Sequence, residues 1–253
     1  MGLPLYEEAD FISKYAASLL ASGAYVSRVM RSASRMAKAL DLDIKLVTGY
    51  SNVIISIEDE KNKICLTKVV KIPAKPISFE TNADLCCLSW KALDNHMSLA
   101  QIKADYEKIM AKPRIDSLFV LFMVGFANAS FCRLFGGDFL AMAIVFSSTL
   151  AGFSIKQILQ KKGVNEYIVF IISAFLASIC ASTALCFDCT AETAVAASVL
   201  FLVPGVLLIN GILDILDGYA VFGCGRLIGA CILVICIAIG LSISLLIAKG
   251  VLM

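Results

Sequence analysis

Beyond residue 115 the chain passes through five long apolar runs, near 116–135, 138–156, 166–187, 193–213 and 221–248, joined by short connections. A helix needs about twenty apolar residues to cross the hydrocarbon core of a bilayer, and each run has that length or close to it. Hydrophobic residues form 59% of the chain and the mean hydropathy is +0.86, which is more apolar than a soluble domain of this length. The expected fold class is therefore an α-helical membrane protein: a five-span transmembrane bundle over 116–253, preceded by a soluble α+β domain over 1–115. Charge marks the boundary. Residues 1–115 carry sixteen Lys and Arg against thirteen Asp and Glu, whereas residues 116–253 carry six against seven.

Between Leu5 and Leu40 the apolar positions recur at helical spacing (Ile12, Tyr15, Leu19, Val26, Met30, Ala33, Ala37), with Lys14, Arg28, Arg31, Arg35 and Lys38 mostly on the opposite face. This is one long helix, or two meeting near Ser22-Gly23. The basic face reads as solvated surface, with anionic lipid headgroups as the other partner open to it. Residues 43–72 turn β-branched and alternating, broken by Ser51-Asn52 and Glu60-Lys61-Asn62, which predicts a small antiparallel meander. Pro73 and Pro76 end it. Two further helices are expected over 81–94 and 98–110, the second with Ser98 as its N-cap.

Nothing in this domain suggests an enzyme. It has no GxSxG and no Gly-rich phosphate cradle, and the single histidine, His96, lies in a loop-like DNHMS stretch. Most of the ten cysteines sit in apolar segments, where they behave as small hydrophobes. Cys186 and Cys189 have CxxC spacing but no histidine or second cysteine pair nearby to share a metal. No cofactor, metal or nucleic acid is expected. The opening MGLPLYEEADF is acidic where a cleavable signal would be basic, so no signal peptide is expected.

Positive residues set orientation. Lys112 and Arg114 precede the first span, Lys156, Lys161 and Lys162 separate the second from the third, and Arg226 begins the fifth. They share one side if the N-terminus is cytoplasmic, leaving LFGGD and FDCTAE outside. Small residues such as Gly125, Ala129, Ser148, Gly152, Ala194 and Ala197 let spans approach closely. An odd number of close-packing spans suggests that something completes the assembly, either a partner chain or a second copy in a homo-oligomer.

The fourth run and its continuation read LVPGVLLINGILDILDG. Pro204 lacks an N–H and deprives a carbonyl one turn earlier of its partner, a loss tolerated in a bilayer only where protein or cavity water compensates. Asn210, Asp214 and Asp217 follow at spacings of four and three, so they line one helical face. In one reading Pro204 is a packing kink and the acids mark the helix end. In the other, a broken helix opens a polar site on a substrate or proton pathway, a recurring device in transporters. Asn128 and Arg133 of the first span are candidate helpers. Arg133 can pair with Asp138 across the Gly136-Gly137 turn, attract an anionic substrate, or snorkel outward.

The stretch LVPGVLLINGILDILDGYAVFGCGRLIGA resembles the signature of the threonine/serine exporter (ThrE) family: LVPG, an Asn, an Asp four residues on, a Gly-rich turn and an Arg. RLFGGD at 133–138 and LASGAYVSRVMRSASRMAKALDLD in the N-terminal helix resemble that family too, in the same order. The resemblance implies that Pro204, Gly205, Asn210, Asp214, Gly218 and Arg226 are motif residues, with Gly136 and Gly137 in a structural turn. It also implies the larger subunit of a split, two-subunit exporter of the bacterial inner membrane, similar to the bacterial succinate exporter. Such a subunit would work with a small membrane subunit and use the proton-motive force to export small polar metabolites, threonine/serine or dicarboxylates. The alternative from a different class is a membrane-anchored sensor or scaffold whose N-terminal domain binds a ligand or partner.

Overall fold

The computed structural model describes residues 3–49, 51–59, 64–73, 76–113, 115–187 and 189–252. The turn expected at Glu60-Lys61-Asn62, and the charged Arg114 and Asp188, lie outside them. Packing divides the chain into two compact units, Met1–Pro113 with Val206–Leu227, and Arg114–Gly205 with Ile228–Met253.

In the first unit the helical pattern of residues 5–40 becomes two helices, α1 (Leu3–Ala21) and α2 (Val26–Lys38). Gly23 separates them. Its φ of +96° is left-handed, and a Cβ there would lie 2.7 Å from Ile77 Cγ2, so only glycine turns the chain at this point. The alternating runs pair antiparallel in the order β1 (Asp43–Thr48), β2 (Asn52–Asp59), β3 (Ile64–Lys71), with Ile44 opposite Ile57 and Ile55 opposite Lys68. The period of two turns Val53, Ile55 and Ile57 inward, where they join Ile12, Tyr15 and Leu19 of α1 in the core. α3 (Phe79–Asp94) and α4 (Leu99–Ala111) complete it. Ser78 Oγ accepts from Thr81 N–H at 3.2 Å, and the Gln101 side chain accepts from Ser98 N–H at 3.0 Å, satisfying donors that a helix start leaves open. The buried Tyr15 hydroxyl donates to Leu85 O at 2.8 Å. Burial pushes that phenol above the usual tyrosine range.

The second unit begins with α5 (Ser117–Leu134), α6 (Phe139–Lys161) and α7 (Glu166–Ala181), the last prolonged by a 3-10 turn at Ser182–Cys186, and then α8 (Ala191–Ser198). Small residues set its spacing: a Cβ on Gly152 of α6 would meet Ala177 Cβ of α7 at 2.7 Å. Large apolar side chains point outward, among them Phe119, Phe126, Phe139 and Ile172, a distribution that water does not favour over so wide a surface.

The fourth apolar run is not one continuous helix. α8 stops at Ser198, a short 3-10 turn covers Leu200–Leu202, and α9 (Gly205–Leu216) starts beyond Val203-Pro204. The last helix, α10 (Ala220–Leu252), gives its residues through Leu227 to the first unit and the rest to the second. Among the described residues, four helices are long and apolar enough to cross a membrane, or five if the interrupted pair α8–α9 counts as one span.

Candidate functional site

The polar residues of the fourth run converge in the first unit. Gly218, with φ +90°, ends α9, and the Tyr219 N–H donates back to Asp214 O at 2.7 Å. α10 then packs against α9 at glycine distance. A Cβ on Gly223 would stand 2.6 Å from Gly211 O and 2.7 Å from Ile215 Cγ1. This close approach brings Arg226 to Asp214, with Arg226 Nη1 donating to Asp214 Oδ2 at 2.7 Å.

The other groups come from the link between α1 and α2. Val26 N–H, at the first position of α2, donates to Asp214 Oδ1 at 2.7 Å. Tyr25, the N-cap of α2, supplies no side-chain hydrogen bond there. A carboxylate from a distant helix therefore satisfies a donor that the helix start leaves open, at the end where the dipole favours an anion. Arg226 Nη2 donates to Ala24 O at 2.8 Å, and Asn210 Nδ2 donates to Gly23 O at 2.8 Å. Ser27 Oγ donates to Asp217 Oδ2 at 2.5 Å, and the Arg226 guanidinium lies 4.7 Å from the Phe222 ring centroid. Three residues at the α1–α2 junction, Gly23, Ala24 and Val26, are thus held by Asn210, Arg226 and Asp214 respectively. Asp214 has no exposed surface, and Arg226 and Asn210 are 7% and 9% exposed.

This arrangement differs from a free carboxylate on a wet face. Both Asp214 oxygens are occupied, and the guanidinium bridges the carboxylate and a backbone carbonyl. Breaking a buried pair from one side leaves an uncompensated charge.

The remaining expected residues sit elsewhere. Asn128, in the second unit, is buried, and its Nδ2 donates to Thr149 Oγ1 at 2.9 Å and to Ala197 O at 3.2 Å. Ala197 lies in the last turn of α8, next to the break, so this side chain serves a carbonyl where the helix ends. Arg133 Nη1 donates to Gly137 O at 3.1 Å, and its guanidinium lies 5.3 Å from the Phe139 ring. It does not pair with Asp138. That carboxylate caps α6 through Ala141 N–H at 2.7 Å and accepts from Thr190 N–H at 2.9 Å. Gly136 and Gly137 form the α5–α6 turn, with the Gly137 N–H donating to Cys132 O at 2.9 Å, and Gly205 is the first residue of α9.

Spacing could not identify the link as the partner of Asp214, because Val26 is 188 residues away in the chain. The one sequence signal was the Gly23 interruption of an otherwise continuous helical pattern. Lys156, the last residue of the expected second run, lies inside α6, which continues to Lys161, with its ammonium 5.8 Å from the Phe153 ring centroid and 4.9 Å from that of Phe170.

Comparison with known proteins adds an independent line. The family described as "Putative threonine/serine exporter" matches residues 10–248. The chain is 28% identical over 231 residues to the probable succinate transporter subunit YjjP of Klebsiella aerogenes, covering 90% of this chain and 88% of that protein. It is also 28% identical over 230 residues to the protein of the same name from Escherichia coli strain K12, covering 90% and 89%. No solved structure matches the chain.

Proposed function

The chain belongs to the threonine/serine exporter family, and from that premise we propose that it is one subunit of a secondary exporter of small carboxylate-bearing metabolites, driven by the proton-motive force. Threonine, serine and small dicarboxylates such as succinate form the substrate class. The subunit spans the bacterial inner membrane with its N-terminal domain in the cytoplasm and works beside a small membrane partner. Relatives named as succinate transporter subunits support both the substrate class and the partner. The apolar helices and the interruption at Val203-Pro204 support a transport path, since non-helical backbone at membrane depth is tolerated where it lines a cavity or is buried in protein.

The observation that carries this reading is the closed Asp214–Arg226 pair, built from the helix that follows the break and the one after it. Protonating the carboxylate would weaken its hold on both Arg226 and Val26. In this reading the pair couples proton movement to release of the α1–α2 link, and Asn210 and Asp217 steady the same link through Gly23 and Ser27.

Vesicles that hold the chain with and without a co-expressed small membrane partner test this proposal, using labelled threonine, serine and succinate under an imposed pH gradient. The expected outcome is gradient-dependent flux of at least one of the three, requiring both chains. Absence of flux for all three, with both chains incorporated, would overturn it.

A further inference from the structure

Lys156 is one of several cations of the second unit with no ion-pair partner among the described residues. Lys156 lies five residues before the end of α6, about 7 Å along the helix axis from that end, and among the described residues no carboxylate comes within ion-pair distance of it. Glu166, at the start of α7, acts on it only through space. The ammonium instead rests against the rings of Phe153 and Phe170. Aromatic faces hold a cation but supply no counter-charge or acceptor atom, so the ammonium keeps its hydrogen-bonding capacity.

The same seam holds the one buried side-chain polar atom that lacks a hydrogen-bond partner among the described residues, Ser173 Oγ. Such a group in a packed interior calls for an explanation. Gly152 and Lys156 share a face of α6 four residues apart, and Phe170 and Ser173 share a face of α7 three apart. A Cβ on Gly152 would lie 3.1 Å from Ser173 O, which registers the two faces against each other. Phe201, from the turn just before Pro204, closes over the same place: its ring centroid is 5.8 Å from that of Phe153, and its Cζ would be 3.0 Å from a Gly152 Cβ.

We infer that Lys156 and Ser173 bind a carboxylate of the transported solute in the α6–α7 seam, with Phe201 as the side chain that opens or covers it. A single ammonium and a hydroxyl donor on facing helices suit a carboxylate, the group that threonine, serine and succinate share. The inference rests on the transport reading but names a site separate from the Asp214 cluster. Two observations point to a ligand: a half-buried cation with no counter-ion and a fully buried hydroxyl with no partner, both among the described residues.

Equilibrium binding of labelled succinate and threonine to the purified full chain in nanodiscs tests it, with Lys156→Gln, Lys156→Arg and Ser173→Ala beside the wild type. Losing a charge-assisted contact is expected to weaken binding about tenfold or more in Lys156→Gln. Lys156→Arg should stay within about threefold and Ser173→Ala should fall between the two. The expected loss in Ser173→Ala, measured on its own, keeps the inference exposed if Lys156→Gln does not fold. Wild-type affinity in both Lys156→Gln and Ser173→Ala, or no binding of either solute by the wild type, would overturn it. Binding lost in Lys156→Gln while vesicle flux fails even for the wild type would leave the site standing and sink only the transport reading.

Discussion

Asp214 offers neither carboxylate oxygen to solvent: one takes Val26 N–H and the other the Arg226 guanidinium. A buried ion pair is weak evidence for stability, because desolvation offsets much of the attraction, but removing one partner strands the other. Asp214→Ala should therefore destabilise the first unit by about 3–5 kcal/mol, and Arg226→Leu by a similar amount. Removing both should cost less than the two single effects added, with a coupling of about 1–3 kcal/mol. The only tryptophan, Trp90, lies in α3 of the same unit, so its fluorescence during denaturant unfolding reads the cycle directly. Additive single effects would mean that the two side chains act independently. Asn210 belongs to a weaker class. It makes one neutral hydrogen bond to Gly23 O, and Asn210→Ala should cost about 1 kcal/mol in the same measurement.

At the level of elements, the α9–α10 hairpin explains why the pair forms. Gly211 and Gly223 let the two helices touch backbone to side chain. Gly223→Val would press a side chain against the Gly211 carbonyl and separate Asp214 from Arg226, destabilising the unit by about 1–3 kcal/mol. Gly205→Ala meets open space and should change stability by less than about 0.5 kcal/mol. Thermal unfolding of the two variants separates a packing requirement from a general intolerance of change. The elements that were legible in the sequence carry local signals: the period of two in β1 to β3, the long apolar runs of α5 to α7 and α10, and the proline that interrupts the fourth run. The site was legible only in part. Asn210, Asp214 and Asp217 share a face because their spacing dictates it, and Arg226 lies just across a glycine turn. Their partners Gly23, Ala24 and Val26 were hidden because pairing across 188 residues leaves no periodic trace. The second apolar run ends at Lys156 because hydropathy falls there, yet helix formation continues to Lys161.

For the whole molecule, membership in an exporter family and four to five apolar helices describe a membrane transport protein. The N-terminal residues and the α9–α10 hairpin form one compact unit, so the segment after the proline break is packed with the N-terminal domain instead of standing apart from it. In the proposed reading that packing gives the N-terminal domain a part in transport, whereas a scaffold reading leaves the acids of α9 with a purely structural one. The decisive measurement is solute flux in vesicles at matched incorporation, comparing wild type with Asp214→Asn, which keeps the side chain's size and an acceptor for Val26 but removes its charge. Flux is expected to fall about tenfold or more and to lose its dependence on the pH gradient. Equal flux with an unchanged response to the gradient would contradict the proposed coupling role of the pair.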